Sequence, residues 1–176
     1  DQIVGAFLDV VPALIVLLVP AGRISLFNQA CEKLTGYSRA ETIGRNPLEF
    51  LVPQEFIELV RKRFADPFAP EVAIPHEHPW LTRGGEERLI RWQCSAVKLP
   101  DEESPYILGV GSDVTDRARI EEANRRQSRL LDLFFESNLS CSVLLDREFN
   151  FIRVNRAYAS ACGRDASEFP GHNHFD

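Results

Sequence analysis

NQACEKLTGYSRAETIGRN, residues Asn28 to Asn46, reads as two short capped helices in succession. Asn28 is an N-cap residue, and the helix it opens carries Ala30, Cys31 and Leu34. Gly36 supplies the left-handed position that ends such a helix. Ser38 with Glu41 three residues on is a capping box for one further turn, which Gly44 closes. Immediately upstream stand two short apolar runs, Ala13 to Val19 and Ile24 to Phe27, separated by Pro20-Ala21-Gly22. They read as a hairpin leading into the helices.

The same layout returns 127 positions later. Residues 143–173 fall on residues 16–46 without a gap, with nine identities in 31 positions where typical composition gives about two. Val16-Leu17-Leu18 meets Val143-Leu144-Leu145, Asn28 meets Asn155, Gly36 meets Gly163, and Gly44 meets Gly171. A period this long means two copies of one domain rather than a solenoid. The expected organisation is four segments. Residues 1–12 are the last turns of an upstream linker helix, with Ile3, Val4, Phe7 and Leu8 as its apolar positions. Residues 13–116 are one whole domain, 117–138 a helical linker, and 139–176 the truncated start of a second domain. That start lacks the elements needed to bury its own apolar face. It is expected to be partly disordered or completed by packing on a neighbour.

Downstream of Asn46, Pro53 sits at a helix start with Glu55 in the first turn. Phe56, Leu59, Val60 and Phe64 form its stripe, and Asp66-Pro67 and Ala69-Pro70 end it. Glu71 to Arg83, Glu86 to Leu99 and Tyr106 to Thr115 then read as three strands, the first two joined by a tight Gly84-Gly85 turn. Ile90, Trp92, Cys94 and Ala96 alternate with Arg91, Gln93 and Ser95, the mark of an antiparallel strand buried on one face. Pro100 to Pro105 is an acidic loop. The predicted fold class is α+β: a five-stranded antiparallel sheet with short helices on one face, followed by a long linker helix.

With its motifs in this order the chain resembles the PAS sensory domain family. The residues carrying the resemblance are Asn28 to Asn46, the stretch WLTRGGEERLIRW (Trp80 to Trp92) and the ending GVGSDVTDR (Gly109 to Arg117). The last looks like the Asp-Ile-Thr motif that closes many bacterial PAS units, here Asp113-Val114-Thr115. The resemblance covers Ala13 to Arg117 and recurs in Cys141 to Asp176. It implies a cytoplasmic sensory module of a bacterial signal-transduction protein. Such a module senses a small ligand, redox state or partner. It relays the signal through a dimeric linker helix to a covalently attached output domain, such as a histidine kinase or a cyclic-dinucleotide enzyme (diguanylate cyclase). The rival expectation is a ligand-free structural dimerisation module.

The linker, Asp116 to Ser137, is charged and free of Pro and Gly. Ile120, Ala123, Gln127, Leu130 and Phe134 are spaced 3, 4, 3 and 4, a heptad seam with polar Gln127 inside it. Glu121 with Arg125 and Glu122 with Arg126 add favourable pairs one turn apart. The seam fits a parallel homodimer through the N-terminal and linker helices; a single helix docked on its own domain would also need an apolar stripe.

Composition narrows the function. With 176 residues, 44% of them hydrophobic, the chain can bury a core without staples. A net charge of −6 argues against a nucleic-acid surface. The apolar run Val10 to Pro20 is about half the ~20 residues a membrane span needs, so no direct membrane insertion is expected of this segment. No basic leader precedes that run. With no methionine and a start at Asp1, the chain reads as part of a longer frame. The scattered Cys31, Cys94, Cys141 and Cys162 read as reduced thiols, not as a disulfide framework or zinc site.

No catalytic constellation is present in the sequence: no phosphate-binding glycine loop, nucleophile elbow or metal-binding helix pair. An enzyme activity is therefore not expected of this chain, and no metal site is either. His76-Glu77-His78 puts two imidazoles on one face of a strand, but with prolines on both sides and no third ligand the pair reads as solvent-facing. The resemblance also implies a pocket between sheet and helices. Its expected lining is Phe27, Asn28, Tyr37, Phe50, Phe56, Val60, Trp92, Cys94 and Val110. The occupant is unknown; FAD or another small molecule fits such walls, in which case Trp92 would stack on a flavin ring and Asn28 hydrogen-bond to it. The same aromatics would equally fill a solid core, and both readings stand. Flavin–cysteine photochemistry is disfavoured, because Pro47 follows Asn46 where that subgroup carries its cysteine. Haem is disfavoured too, because residues 53–64 contain no histidine.

Overall fold

A computed structural model describes residues 2–98 and 104–175. The expected acidic loop over Asp101-Glu102-Glu103, and Leu99 at the end of its preceding strand, lie outside the described residues, as does the side chain of Val4. The chain divides into two units, Asp1–Ala118 and Arg119–Asp176.

In the first unit, α1 (Gln2–Val10) precedes the hairpin of β1 (Leu14–Leu18) and β2 (Ile24–Phe27). The short helices α2 (Gln29–Thr35) and α3 (Arg39–Thr42), a 3-10 turn (Pro47–Glu49), α4 (Gln54–Arg63) and the single turn α5 (Pro70–Ala73) follow. Then β3 (His76–Leu81), β4 (Glu87–Val97) and β5 (Tyr106–Asp113) complete one antiparallel sheet in the order β2-β1-β5-β4-β3. The chain reaches the far edge at β3 and returns through β4 to the centre, so β5 pairs with both β1 and β4.

The caps form as their residues require. Asn28 Oδ1 accepts from the Cys31 amide, Gly36 is left-handed at φ 76°, and the Glu41 carboxylate accepts from the Ser38 amide and hydroxyl, both at 2.8 Å. The period-2 pattern of β4 turns Ile90, Trp92 and Cys94 inward and Arg91, Gln93 and Ser95 outward. With Leu14, Val16, Phe27, Leu51, Val60, Val72 and Trp80 they make the core between sheet and helices.

Two expectations are corrected. The strand predicted over residues 71–83 begins only at His76, because residues 70–73 turn helically with Pro70 at the first position. The Arg63 guanidinium then donates to the Glu71 and Ile74 carbonyls at 2.7 and 2.6 Å, taking acceptors a strand ladder would need. The second concerns His76 and His78, which are not solvent-facing. They share the face of buried Trp80 and turn toward the core; His78 is 5% exposed.

The helix α6 (Thr115–Ser137) follows β5 directly and carries most of its length in the second unit. There β6 (Val143–Leu145) and β7 (Phe151–Val154) form a hairpin, followed by α7 (Arg156–Cys162). Phe151, Val154, Ala159 and Phe169 make a small core. The unit repeats the opening of the first in detail. Asn155 Oδ1 accepts from the Ser142 and Tyr158 amides as Asn28 Oδ1 does from Ile15 and Cys31. Both hairpins shift register at the same place, Leu17/Leu18 and Leu144/Leu145. At the hairpin turn, the left-handed position of Gly22 is held by Phe149, at φ 65°.

Candidate functional site

The inner face of the sheet and α4 enclose a cavity of about 220 Å³. Its floor is β1 and β5, through Val16, Leu18, Ile107 and Gly109. One wall is α4, through Val60, Arg61 and Phe64. The opposite wall is β3 and β4, through His76, His78, Trp80, Trp92 and Cys94. The turn residues Pro20, Gly22, Asn46, Pro47 and Leu48 rim it.

The wall on β3 and β4 is a continuous row of rings. From Phe64 to His76 the centroids lie 6.0 Å apart, from His76 to His78 5.4 Å, and from His78 to Trp92 6.2 Å. Trp92 and Trp80 meet at 4.7 Å, and Trp80 stacks on Phe27 at 6.3 Å. Strand register produces this row. His76 sits opposite Trp92 on β4, and two-residue steps carry His78 and Trp80 along the same face. The indole of Trp92 has room because its neighbour on β5, Gly111, has no side chain.

Within this apolar wall, His76 Nε2, His78 Nδ1 and Trp92 Nε1 are buried without a hydrogen-bond partner among the described residues. Buried polar atoms in folded proteins are nearly always satisfied, by protein groups or by water, so three on one cavity wall single this wall out as the candidate site. Burial pushes the His78 imidazole down to about 4, with His76 and Arg63 adding to the shift; burial and Arg63 lower His76 as well. The His78 ring is therefore neutral at pH 7. Burial likewise raises the Cys94 thiol to about 11, so it is an inert wall group rather than a nucleophile.

Of the nine residues expected to line a pocket, Val60, Trp92 and Cys94 come together on this cavity. Phe27 is fully buried in the core beneath Trp80. Tyr37 and Phe50 pack edge to face at 5.1 Å, and Phe56 packs against the same core, all away from the cavity lining. Val110 points to the other face of β5 and is 41% exposed. Asn28 is a structural hub. Its Oδ1 accepts from the Ile15 and Cys31 amides, and its Nδ2 donates to the Leu8 and Ala13 carbonyls. No donor or acceptor remains on it for a flavin, so the flavin expectation rests on Trp92 alone.

His76, His78 and Trp80 are among the lining residues absent from the expected set. The signal was present in their period-2 spacing with a tryptophan. The flanking prolines pointed to an exposed edge, yet an edge strand still turns one face to the core.

Comparison with known proteins agrees with this architecture. A family model described as PAS domain matches residues 12–116. The chain is 28% identical over 160 residues to the oxygen sensor protein DosP of Escherichia coli, covering 89% of this chain and 19% of DosP. It thus spans about a fifth of that relative's length. The crystal structure of a PAS domain from Colwellia psychrerythraea superposes with a TM-score of 0.58 at 23% identity, over 65% of this chain and 97% of that one. The quorum-sensing receptor PAS domain of Cronobacter turicensis RpfR, in complex with BDSF, superposes at 0.50 with 25% identity, over 60% and 96%.

Proposed function

The chain belongs to the PAS domain family, and on that premise we propose that residues 13–116 are a sensory unit whose signal is the occupancy of the cavity between β3, β4 and α4. The PAS unit is a sensory, non-catalytic fold, and its relatives include a sensor protein and a quorum-sensing receptor. The observation that carries the reading is the set of three unpartnered nitrogens on His76, His78 and Trp92 beside apolar walls. A solid core would leave them permanently unsatisfied.

A ligand there touches the strand that leads to the output. Ile107 and Gly109 floor the cavity on β5, and Asp113 ends that strand. The Asp113 carboxylate accepts from the Thr115 amide at 2.9 Å and from its hydroxyl, while the Leu89 amide donates to Thr115 Oγ1 at 2.8 Å. Thr115 is the first residue of α6. A ligand preferring one arrangement of β3–β5 therefore biases the start of α6. In this reading α1 and α6 form the dimer contacts of a cytoplasmic protein. Residues 139–176 open a second PAS unit, and a kinase or cyclic-dinucleotide enzyme is the attached output. The second reading, a ligand-free dimerisation module, is favoured by the apolar seam of α6, where Ile120 and Phe134 are 61% and 71% exposed.

The test is extraction of the purified chain: absorption spectra before and after denaturation, and mass spectrometry of the supernatant. A small molecule released in near-stoichiometric amount is the expected result, and a flavin band would identify FAD. A blank extract, together with no thermal shift across a library of small molecules, overturns the sensory reading in favour of the dimerisation module.

A further inference from the structure

We infer that this chain carries one helix-to-domain joint twice. In each copy a carboxylate on the last turn of the entering helix, Asp9 on α1 and Glu136 on α6, fixes that helix's rotation on the unit it leads into. The inference is independent of what the cavity binds. It makes α6 a coupler gripped at both ends rather than a free linker.

The two joints match contact by contact at the 127-residue offset. The amide of Gln29, the first residue of α2, donates to Asp9 Oδ1 at 3.0 Å. The amide of Arg156, the first residue of α7, donates to Glu136 Oε2 at 3.3 Å. Gln29 and Arg156 are 127 positions apart, and so are Asp9 and Glu136. In the other direction Asn28 Nδ2 donates to the Leu8 carbonyl in the last turn of α1, and Asn155 Nδ2 to the Asn138 carbonyl just past α6, both at 3.0 Å. The same two nitrogens donate to the Ala13 and Ser140 carbonyls, again one offset apart, both at 2.9 Å. The first amides of a helix have no acceptor within it, and the last carbonyls have no donor. Here a carboxylate on the first helix and an asparagine at the head of the second supply both.

The arginine that completes the clamp comes from a different place in each copy. Arg39 on α3 reaches Asp9 Oδ1 at 2.7 Å. Arg153 on β7 reaches Glu136 Oε1 at 2.9 Å and Asp132 Oδ1 at 2.5 Å. The position matching Arg39 is Ala166, and the one matching Arg153 is Leu26. The acid itself is Asp in one copy and Glu in the other. One arrangement, a carboxylate shared between a backbone amide and a guanidinium, is thus reached by two different sets of side chains.

This arrangement sets the helix phase. Phe7 and Phe134 stand two residues before the carboxylates, roughly 200° around the helix. With the carboxylate held on the unit, the ring turns away from it, and both phenylalanines are 71% exposed. Rotating either helix by one residue, about 100°, takes the carboxylate off the amide and the arginine together. At its other end α6 is held through Thr115, whose Oγ1 accepts from the Leu89 amide at 2.8 Å. A rotation that starts at Thr115 therefore arrives at α7 instead of being lost at a swivel. Exposed ion pairs are individually weak, so the joint yields to a modest bias, as a relay requires.

The test is a spin-label distance measurement on the whole chain. Labels go on Arg129→Cys in α6 and Ser160→Cys in α7, with the exposed Cys141 and Cys162 replaced by serine. Labelled chains are diluted in unlabelled ones, so that only distances within one chain are read. A narrow distribution is expected for this parent, a broader one for Glu136→Ala, and recovery in Glu136→Asp, the acid that the first joint uses. By nuclear magnetic resonance the Arg156 amide should exchange several-fold faster in Glu136→Ala, and the Gln29 amide in Asp9→Ala. The Ser142 and Ile15 amides, which donate to Asn155 and Asn28, should keep their protection. If Glu136→Ala loses the Ser142 protection as well, the second unit has unfolded, and Arg153→Gln carries the test; it leaves the carboxylate in place and should broaden the distribution by itself. Distances and exchange that stay unchanged in these variants overturn the inference. A distribution already broad in the parent overturns it too, because α6 is then a free linker.

Discussion

The indole of Trp92 lies against the bare Cα of Gly111, its partner across β4 and β5; a Cβ at position 111 would stand 2.8 Å from Trp92 Cζ3 and 2.9 Å from Ile90 Cγ2. Trp92 is part of the cavity wall, so this close approach also sets where the wall stands. Gly111→Ala is therefore expected to destabilise the first unit by about 1–3 kcal/mol, the usual cost of overpacking. Gly109→Ala, where the same indole is 3.3 Å away, should cost less. Urea denaturation of both variants checks the order, and Trp92→Leu in the Gly111→Ala background should recover part of the loss. Equal stability of Gly111→Ala and the parent would contradict it.

Asn28 is fully buried and makes four hydrogen bonds to the backbone around β1 and α2. Asn28→Ala removes a cap and leaves two buried amides and two carbonyls short of a partner. A loss of about 3 kcal/mol is expected from the sum of cap and desolvation effects. Asn28→Asp keeps the accepting half but turns a carboxylate oxygen toward the Leu8 and Ala13 carbonyls in a fully buried place, so it should lose at least as much as Asn28→Ala. Chemical denaturation followed by tryptophan fluorescence reports it, since both tryptophans are in the first unit. Asn155→Ala, which strikes the equivalent set in the second unit, should leave that fluorescence transition unchanged.

His78 makes stability depend on pH in a defined direction. Its folded value of about 4 lies below the unfolded value of about 6.5, so protons bind the unfolded chain more readily. The contribution is complete above pH 6.5 and falls as the pH drops from 6.5 toward 4, by about 3 kcal/mol at pH 4. His76 acts in the same direction. Urea midpoints at pH 7.5, 5.5 and 4.5 should fall more steeply on acidification for the parent than for His78→Gln. Parallel curves would show that His78 is not held neutral by the fold.

Thr115 ties β4 to the start of α6 by accepting the Leu89 amide while bonding Asp113. Thr115→Val removes the acceptor at nearly constant volume. The Leu89 amide should then exchange with solvent at least tenfold faster, about 1.4 kcal/mol of lost protection, while amides on β1 keep theirs. Hydrogen exchange read by nuclear magnetic resonance distinguishes this local opening from a general loss of stability.

The seam on α6 makes a prediction about assembly. Ile120, Leu130 and Phe134 lie on one heptad stripe and are exposed in the single chain. In a parallel pair Ala123→Cys would face its own copy. Oxidation of that variant, with Cys141 and Cys162 replaced by serine, should give a disulfide-linked dimer. Arg125→Cys, off the seam, should cross-link poorly. A chain that remains monomeric at high concentration and gives no selective cross-link removes the paired helix.

Local chemistry was legible without tertiary information wherever one residue type decides the conformation. Asn28 and Gly36 bound α2, Ser38 and Glu41 box α3, and the alternation of Ile90, Trp92 and Cys94 assigns the faces of β4. The sequence match at a 127-residue offset was legible too, and Asn28 and Asn155, aligned by it, accept hydrogen bonds from the corresponding Ile15 and Ser142 amides. Residues 71–73 turn helically where the sequence predicts strand, since Glu-Val-Ala suits either conformation, and Arg63 takes the Glu71 and Ile74 carbonyls.

The site divides along the same line. By itself the sequence determined the α+β fold, the capped connections, the family and the apolar face that carries Trp92 and Cys94. These follow from backbone preference and periodicity, which act over a few residues. Tertiary structure alone decided that His76 and His78 turn inward, that Asn28 bonds backbone rather than ligand, and that Gly111 makes room for Trp92. Each of those depends on which strand lies beside which: β3 is registered on β4, and β4 on β5. Pairing across such distances is set by the packing of the whole sheet, and no local stretch of the chain contains it.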